Sequence, residues 1–458
     1  MNFVAVITIF SSLATHAASL FASANASITV VDDAWIASAE MSCARMAMAI
    51  SGAGISGLDV AANGIEISDT SCFLPIDIAY VDAFRALEGV VLEPDSLVNV
   101  APETPDGLGV LGSPNVSDNT PEASVVPRSW GLDRIDQTAL PLDKLSFSAA
   151  TKGTGVTIYI IDTGVYAAHS DFNGRARMAA DFINETPKGD NHGHGTHVSG
   201  TAIGMTLGVA RNARVSAIKV LNRSGSGTIT SVIRGIEWAT RDARLTRRIG
   251  VLSMSLGGGL STALNQATLA AGTAGNIVVV AAGNSATDAC FFSPASAGGR
   301  ALKTGVVGVA ASTTTDLFAF FSNWGKCVDI TAPGLNILSA SITGRTSTRT
   351  MSGTSMSAPH VAGVAALLLE KYAFNRTKAL TALLSIATQA KLSGVPSSTP
   401  NLLLQTPGAR TGGANVPSAV PTIAPTAKSS SASSLAPPSR TMTALAVFVS
   451  AIIIITAN

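Results

Sequence analysis

Short apolar runs rich in β-branched residues recur through the middle of the chain. They cover residues 155–161, 250–254 and 278–282. Strands that are buried on both faces show such continuous runs, because neither side of the strand meets water. A further apolar stretch, residues 364–369, follows a segment of small residues and predicts a buried helix. The pattern predicts an α/β domain with a mostly parallel central sheet, and we place this domain at residues 122–405.

A second, smaller folded unit is predicted upstream, within residues 25–121. Its residues 77–100 alternate an apolar strand, a helical turn and another strand, which is typical of a small α+β domain. Residues 102–121 are rich in Pro, Gly, Asn and Asp and predict a linker that proteases can reach. The pattern leaves two alternatives, an accessory domain that stays attached and a segment that is cut off at the linker.

Both ends of the chain predict processing or attachment rather than folding. Residues 3–10 are apolar and precede small residues that resemble signal-peptidase sites, so residues 1–24 are predicted to be a signal peptide; a buried helix is the alternative. Residues 406–443 are rich in Ser, Thr and Pro and predict an exposed stalk. The apolar tail, residues 444–458, would span about 22 Å as a helix, short of the ~30 Å bilayer core. Its layout matches a glycosylphosphatidylinositol (GPI) attachment signal, with a short membrane anchor or a tail without function as alternatives.

Composition and charge narrow the class of protein. Charged residues make up 13% of the chain and the formal net charge is +1, which argues against nucleic acid as a partner. The 47% hydrophobic content and the 42 glycines suit a tightly packed domain with many turns. An even number of cysteines predicts two disulfides if the chain enters an oxidising compartment. The four are Cys43, Cys72, Cys290 and Cys327.

Two candidate catalytic residues lie near the start of the predicted α/β domain. Asp162 directly follows the first strand, where α/β sheets place their active sites, although Asp-Thr-Gly is also common in turns. His194 lies between two glycines at the opening of a predicted helix. Histidines at this density also suggest a metal site. No Glu lies between His194 and His197, however, so the helical zinc-protease pattern is absent.

The third candidate, Ser355, precedes the helix predicted around residues 364–369. A hydroxyl at a helix N-terminus faces the positive end of the helix dipole, which favours developing negative charge. Pro359 fits the first turn of that helix, where a missing N–H costs nothing. A serine that only caps the helix is the alternative interpretation.

The three segments, in the order Asp, His, Ser, closely resemble the subtilisin-like serine proteases, nearest the proteinase K branch. Residues 353–363 carry the strongest match, and the resemblance covers roughly residues 125–405. It implies a three-layer subtilisin-like fold and a monomer that hydrolyses polypeptides without a catalytic cofactor. Ser355 is then the nucleophile, His194 the general base and Asp162 the group that orients the imidazole.

The same resemblance extends to the residues around this triad. It implies that Asn284, after the strand at 278–282, donates to the oxyanion together with the Ser355 amide. Two glycine-rich stretches resemble the walls of the substrate cleft, which implies broad specificity with a preference for apolar or aromatic side chains. The residues of these stretches are Gly225, Ser226, Gly227, Ser255, Leu256, Gly257 and Gly258.

The resemblance also suggests a role for the folded unit within residues 25–121. Residues 90–95 resemble the last strand of the inhibitory prosegment of subtilisin zymogens. The resemblance therefore implies a secreted zymogen that removes its own prosegment and is attached to the cell surface if the GPI signal is used. The alternative function is a catalytically silent surface protein that uses the cleft or the stalk only for binding.

Structural calcium and one disulfide are further family expectations. Asp329 matches a carboxylate ligand of a family calcium site, although the loop that should supply the carbonyl ligands, residues 296–305, is longer here. Cys290 and Cys327 occupy positions at which some relatives form a disulfide, and Cys43 with Cys72 is the remaining pair. Asparagines in Asn-x-Ser/Thr sequences are glycosylation candidates, at Asn115, Asn184, Asn222 and Asn375.

Overall fold

The structure is a computed structural model that describes residues 30–100 and 129–411. The predicted signal peptide, most of the linker and stalk, the apolar tail and Asn115 lie outside the described residues. The first range forms an α+β unit, called here the N-terminal subdomain. Its elements are β1 (Val30–Ala39), α1 (Cys43–Gly52), α2 (Val60–Asn63), β2 (Ile65–Ser68), β3 (Ser71–Asp77), a 3-10 turn (Ile78–Tyr80), α3 (Val81–Phe84) and β4 (Val90–Val100).

The strands of the N-terminal subdomain form an antiparallel sheet in the order β4-β1-β3-β2. Neighbouring residues of one strand face opposite sides of such a sheet. Leu74 accordingly packs with Met46 and Phe84 in the subdomain's own core, whereas Phe73 joins a core shared with the larger domain. The subdomain is therefore packed on the larger domain through one whole face of its sheet.

The second range contains the predicted α/β domain. Its strands are β5 (Thr157–Asp162), β6 (Ala176–Asp181), β7 (Arg214–Lys219), β8 (Ser226–Thr228), β9 (Val251–Met254), β10 (Leu256–Gly259), β11 (Ile277–Ala281), β12 (Phe292–Ser293), β13 (Val306–Ser312), β14 (Ile330–Pro333), β15 (Ile337–Ala340), β16 (Thr348–Met351), β17 (Thr388–Gln389) and β18 (Leu402–Leu403). Its helices are α4 (Trp130–Ile135), α5 (His194–Ile203), α6 (Ile229–Leu245), α7 (Thr262–Thr273), α8 (Ala301–Thr304), α9 (Thr354–Lys371) and α10 (Arg376–Ser385), with 3-10 turns at Ser170–Phe172, Ala289–Phe291 and Ala295–Ala297.

Nine strands form the central sheet, in the order β17-β18-β14-β13-β11-β9-β5-β7-β6. All neighbouring pairs are parallel except β17 with β18. Along β5, Ile158 and Ile160 face the core that contains α5 and α9, whereas Tyr159 and Ile161 face the core that contains α6 and α7. Helices therefore cover both faces of the sheet, and the predicted three-layer α/β fold is confirmed.

The carboxyl edge of this sheet gathers the chain segments of the candidate site. The neighbouring strands β5, β9 and β11 end at Asp162, Met254 and Ala281, and the segments that follow carry Ser255 and Asn284. Parallel strands end at the same edge, so these residues come together although they are far apart in the sequence.

Two boundaries differ from the sequence prediction. The folded domain continues past residue 405: the amide of Thr406 donates to the Ile135 carbonyl oxygen at 2.8 Å, and Arg410 forms an ion pair with Asp136 at 2.9 Å. Pro359 is the sixth residue of α9 rather than part of its first turn. Within the two described ranges, no helix is long and apolar enough to cross a bilayer.

Candidate active site

Asp162 and His194 form a buried pair at the carboxyl edge of the sheet. Asp162 is the last residue of β5 and His194 is the first residue of α5. The imidazole Nδ1 lies 2.8 Å from Asp162 Oδ1 and 3.0 Å from Oδ2, and both side chains are at most 1% exposed. A carboxylate can only accept, so Nδ1 carries the proton and Nε2 is the nitrogen suited to act as a base.

Asp190 and Thr163 connect the end of β5, which carries Asp162, to the start of α5, which carries His194. The Gly195 amide donates to Thr163 Oγ1 (2.9 Å), which in turn donates to Asp190 Oδ1 (2.9 Å). Asp190 also accepts from the amides of Gly193 and Thr196, both at 2.8 Å, and so binds the N-terminus of α5. Burial alone would raise the pKa of Asp190, but these hydrogen bonds outweigh it and the pKa is lowered.

Lys219 fixes the backbone on the other side of Asp162. Its buried Nζ donates to the carbonyl oxygens of Thr163 (2.9 Å) and Leu221 (2.7 Å) and lies 3.3 Å from Glu185 Oε2. The sequence analysis did not single out Asp190 or Lys219. The signal that could have found Asp190 is an acidic residue four positions before the His that opens a helix; nothing local marks Lys219.

Ser355 is the second residue of α9, and it exchanges two hydrogen bonds with Ser255. The Ser355 hydroxyl donates to the Ser255 carbonyl oxygen (3.2 Å), and the Ser255 hydroxyl donates to the Ser355 carbonyl oxygen (2.9 Å). The helices α5 and α9, which begin with His194 and Thr354, pack against each other in one core. All three predicted triad residues therefore lie at the same edge of the sheet.

Asn284 is oriented by the first residue of α9, so that its amide nitrogen faces the space beside Gly353. Its Oδ1 accepts from the amide and the hydroxyl of Thr354, each at 2.9 Å, which turns Nδ2 away from Thr354. A methyl group added to Gly353 would lie 2.8 Å from Asn284 Nδ2 and 3.6 Å from the Ser355 amide nitrogen. The two predicted oxyanion donors thus border one small space, which the glycine keeps open.

The predicted cleft residues flank an extended strand of the chain itself. The end of β4 pairs antiparallel with β8, where Val98 is opposite Gly227, and with β10, where Asn99 is opposite Gly257. The Val100 amide donates to the Gly225 carbonyl oxygen at 2.8 Å. A side chain at position 225 would come within 2.8 Å of Val100 Cγ2, which explains the glycine there. The remaining predicted residues, Ser226, Leu256 and Gly258, belong to the same two strands.

A cavity of about 270 Å³ opens beside this paired strand. Its walls include Gly257, Ala282, Asn284 and Phe292, and its described lining contains no charged side chain. The neighbouring disulfide between Cys290 and Cys327 ties the segment that carries Phe292 to the region before β14. This pairing is the one that the resemblance implied, and the remaining two cysteines are bonded within the N-terminal subdomain.

The surroundings of Asp329 do not fit a calcium ion. Its Oδ2 accepts from the amides of Gly299 (2.7 Å) and Gly308 (2.8 Å), and its Oδ1 accepts from the amide of Ala301 (3.1 Å). Calcium needs several oxygen ligands around it, whereas here N–H groups point at both carboxylate oxygens. Among the described residues, no cluster of His, Cys, Asp and Glu could hold a metal ion either. Main-chain amides thus occupy directions from which a cation would have to approach this carboxylate.

Comparisons with known proteins agree with this geometry. Residues 153–401 match the Subtilase family (Peptidase_S8), and the chain belongs to this family. It is 47% identical over 285 residues to an extracellular serine proteinase of Thermus sp. (strain Rt41A), covering 61% of this chain and 67% of the relative. It is 42% identical over 321 residues to the subtilisin-like serine protease Pen c 2 of Penicillium citrinum, covering 64% and 66%.

Two further matches show how much of each chain the similarity covers. Alkaline serine exoprotease A of Vibrio alginolyticus is 49% identical over 243 residues, but the alignment covers only 53% of this chain and 43% of the relative. The crystal structure of a cold adapted subtilisin-like serine proteinase matches with a TM-score of 0.56 and 45% identity, covering 60% of this chain and 97% of that one. The chain therefore spans 43% to 67% of the length of these three curated relatives.

Proposed function

We propose that this chain is an extracellular serine endopeptidase with Asp162, His194 and Ser355 as its triad. The observation that carries the proposal is the buried Asp162–His194 pair at the edge of the sheet where α9 begins with Ser355 as its second residue. Membership of the subtilase family supports it. Secretion is supported by the Thermus relative, which is named extracellular, and the predicted GPI attachment stays a prediction.

In the proposed reaction, Ser355 Oγ attacks the carbonyl carbon of the scissile peptide bond and His194 Nε2 takes the hydroxyl proton. The Asp162 carboxylate stabilises the imidazolium that forms. Asn284 Nδ2 and the Ser355 amide donate to the oxyanion. The C–N bond then breaks, His194 gives its proton to the leaving amine, and water repeats the sequence on the acyl-enzyme. The Ser355 hydroxyl must first turn from the Ser255 carbonyl oxygen towards His194.

The N-terminal subdomain acts, in this proposal, as an inhibitory prosegment. The support is that β4 lies between β8 and β10, where a substrate strand would pair by main-chain hydrogen bonds. Two carboxylates of β4 also bind helix N-termini of the larger domain. Glu93 accepts from the amides of Thr262 (2.9 Å) and Ala263 (3.3 Å) at α7, and Asp95 accepts from Thr230 (3.1 Å) at α6. Removal of the subdomain would open the cleft.

Specificity is proposed to be broad, because the pairing with a substrate strand uses the main chain. The uncharged cavity of about 270 Å³ favours an apolar or aromatic side chain before the scissile bond. Polypeptides are the proposed substrates. No cofactor is proposed for the reaction.

The decisive experiment compares the secreted wild-type chain with Ser355→Ala under oxidising conditions. Wild type should lose its N-terminal segment with a cut within residues 101–128, hydrolyse casein and react with serine-directed covalent inhibitors. Ser355→Ala should stay full-length, inert and unlabelled, although it has the same fold by circular dichroism. A wild-type chain that is folded, stays unprocessed and leaves casein intact would favour the alternative, a catalytically silent surface protein.

A further inference from the structure

Four arginines line one cavity at the edge of the central sheet opposite the candidate active site. The cavity has a volume of about 460 Å³. Its walls are formed by the first residues of β5, β6 and β7 and by the C-terminal end of α6, and its arginines are Arg175, Arg177, Arg214 and Arg248. The six-residue strands span roughly 20 Å, which separates this cavity from the edge that carries Asp162.

Little negative charge faces these guanidinium groups. Among the described residues that line the cavity, Asp242 is the one carboxylate, and it already accepts a hydrogen bond from the Tyr159 hydroxyl at 2.7 Å. Burial and this hydrogen bond raise the pKa of Tyr159, so the hydroxyl stays protonated and continues to donate. The carboxylate of Asp171, which also acts on Arg175, is occupied by Thr206 and Leu207. Four positive charges are therefore opposed by one engaged carboxylate in the cavity.

Carbonyl oxygens hold two of the arginines in place without neutralising them. Arg175 Nη1 donates to the carbonyl oxygens of Ile203 (2.6 Å) and Ala213 (3.1 Å), and Arg248 Nη1 donates to Gly155 (2.9 Å). The Nε of Arg175 is buried and has no hydrogen-bond partner in the described parts of the chain. Its Nη2 donates to the Asp171 carbonyl oxygen at 3.3 Å, so the Arg175 guanidinium is fixed by neutral carbonyl oxygens and keeps its charge.

The other two arginines are less restrained. Across residues 30–100 and 129–411, the side chains of Arg177 and Arg214 take part in no ion pair and no hydrogen bond. The C-terminal end of α6 favours a nearby cation, but a helix end accounts for about half a charge and not for four. The overall net charge of +1 shows that this concentration of arginines does not follow from a basic composition.

We propose that this arginine-lined cavity binds a small anion that carries at least two phosphate or sulfate groups. The guanidinium fork matches such oxyanions with two parallel hydrogen bonds, and several forks around one cavity can bind two groups at once. An anion there relieves the repulsion among the four charges and pairs with Arg177 and Arg214, which make no ion pair within the described residues. Because the site is remote from the cleft, its ligand stabilises the folded domain without blocking substrate.

The test is isothermal titration of the full-length Ser355→Ala chain, a background that prevents autolysis, with two probes. Inorganic pyrophosphate represents a free phosphate ligand, and sucrose octasulfate represents a sulfated sugar. Sodium chloride keeps the ionic strength constant throughout, because screening alone changes weak anion binding. Saturable binding of either probe, with a rise in Tm, supports the proposal and identifies the source of the oxyanion. The proposal is overturned if the heat signal and the Tm shift with both probes are no larger than those with chloride.

The matched variants decide whether the binding belongs to this cavity. Arg177→Gln/Arg214→Gln should weaken the Kd at least about tenfold, because two of the four forks are lost. Neither side chain makes an ion pair or a side-chain hydrogen bond within the described residues, and their removal lowers the repulsion, so the Tm of the variant without ligand should be no lower than that of its parent. The control Arg234→Gln/Arg300→Gln removes two exposed arginines outside the cavity and should bind as wild type does. Equal weakening in the control and the cavity variant overturns the proposal.

Discussion

Ser255 and Ser355 exchange two hydrogen bonds across the candidate active site, one from each hydroxyl to the other residue's carbonyl oxygen. The contact has a backbone cause. In an α-helix the carbonyl of residue 355 would accept from the amide of residue 359, but residue 359 is a proline and has no N–H. The Ser255 hydroxyl supplies the missing donor at 2.9 Å. The wall of the cleft and the start of α9 are thereby fixed relative to each other.

This relationship predicts that Ser255→Ala lowers both stability and turnover. The buried Ser355 carbonyl would lose its donor, which costs about 1–3 kcal/mol of unfolding free energy, and kcat should fall roughly tenfold as the nucleophile loses its position. Adding Pro359→Ala restores an N–H to that carbonyl, so the double variant should recover Tm and part of kcat. Unfolding and steady-state kinetics measure both effects. A double variant less stable than Ser255→Ala would contradict the explanation.

A second prediction concerns the space between Asn284 and the Ser355 amide. Gly353→Ala places a methyl group 2.8 Å from Asn284 Nδ2, closer than van der Waals contact allows, and displaces the donor. We expect kcat to fall by about 10²–10³, the loss known for the oxyanion asparagine of subtilisin, a member of this family, with KM little changed. Asn284→Ala should match it. Because both changes remove one donor, the double variant should lose no more than Asn284→Ala alone; additive losses would contradict a shared cause.

Glu93 provides a prediction about the N-terminal subdomain. Its carboxylate accepts from the Ser261 hydroxyl and from two amides at the start of α7, so it acts as a helix cap supplied by another part of the chain. Glu93→Ala should weaken the binding of the cleaved N-terminal subdomain to the larger domain by about 1 kcal/mol or more. When the full-length chain processes itself, the lag before activity appears should therefore be several-fold shorter. Glu88→Ala changes an exposed carboxylate of the same subdomain and should keep the wild-type lag. An unchanged lag for Glu93→Ala would contradict the capping role.

The amides around Asp329 predict stability that does not depend on calcium at this position. Three N–H groups donate to the two carboxylate oxygens of Asp329, and Asp329→Asn leaves only one of these oxygens. The substitution should cost about 1–3 kcal/mol of unfolding free energy. The drop in Tm should be the same in excess calcium and in chelator, since no cation is held there. Differential scanning calorimetry of wild type and variant in both buffers measures it. A drop that appears only with calcium present would show that the carboxylate is a ligand after all.

The sequence pattern is informative for the parts of the site that depend on strand ends and helix starts. Asp162 ends an apolar run, and glycines or small residues mark the helix starts at His194 and Ser355, whereas Asn284 is predicted only by the resemblance to the subtilisin-like proteases. The same continuous apolar runs predict a mostly parallel sheet that is covered on both faces, and the three-layer subtilisin-like fold is what the resemblance implies.

The rest depends on contacts between distant segments, for which a local pattern carries no signal. Lys219 lies at the end of an ordinary-looking strand, and only the packing of β5 against β7 brings its amine to the Thr163 carbonyl oxygen. The end of the domain was placed at residue 405 because composition changes soon afterwards. Arg410 extends it by pairing with Asp136, 274 residues away. Asp329 was predicted as a calcium ligand from the resemblance alone, and the sequence does not reveal which backbone atoms of the longer loop face its carboxylate.

His360 links the active-site helix to the stability of the domain in acid. It is fully buried in α9, its Nδ1 donates to the Met356 carbonyl oxygen at 2.8 Å, and its Nε2 has no hydrogen-bond partner in the described residues. Burial lowers its pKa to about 4, although the hydrogen bond to Met356 opposes the shift. The unfolded chain thus binds a proton at this residue near pH 6.5, where the folded chain does not.

The sign of the resulting pH dependence follows from that difference. Stability due to the neutral imidazole is complete above pH 6.5 and is lost as pH falls towards 4, which amounts to roughly 3 kcal/mol over that interval. His360→Gln cannot titrate, so its unfolding free energy should fall less steeply between pH 6.5 and 4, even if it is less stable than the parent at pH 7.5. Urea unfolding in the Ser355→Ala background, at several pH values, gives the two slopes. Parallel curves would mean that His360 is already protonated in the fold, and therefore that the helix around it opens to water.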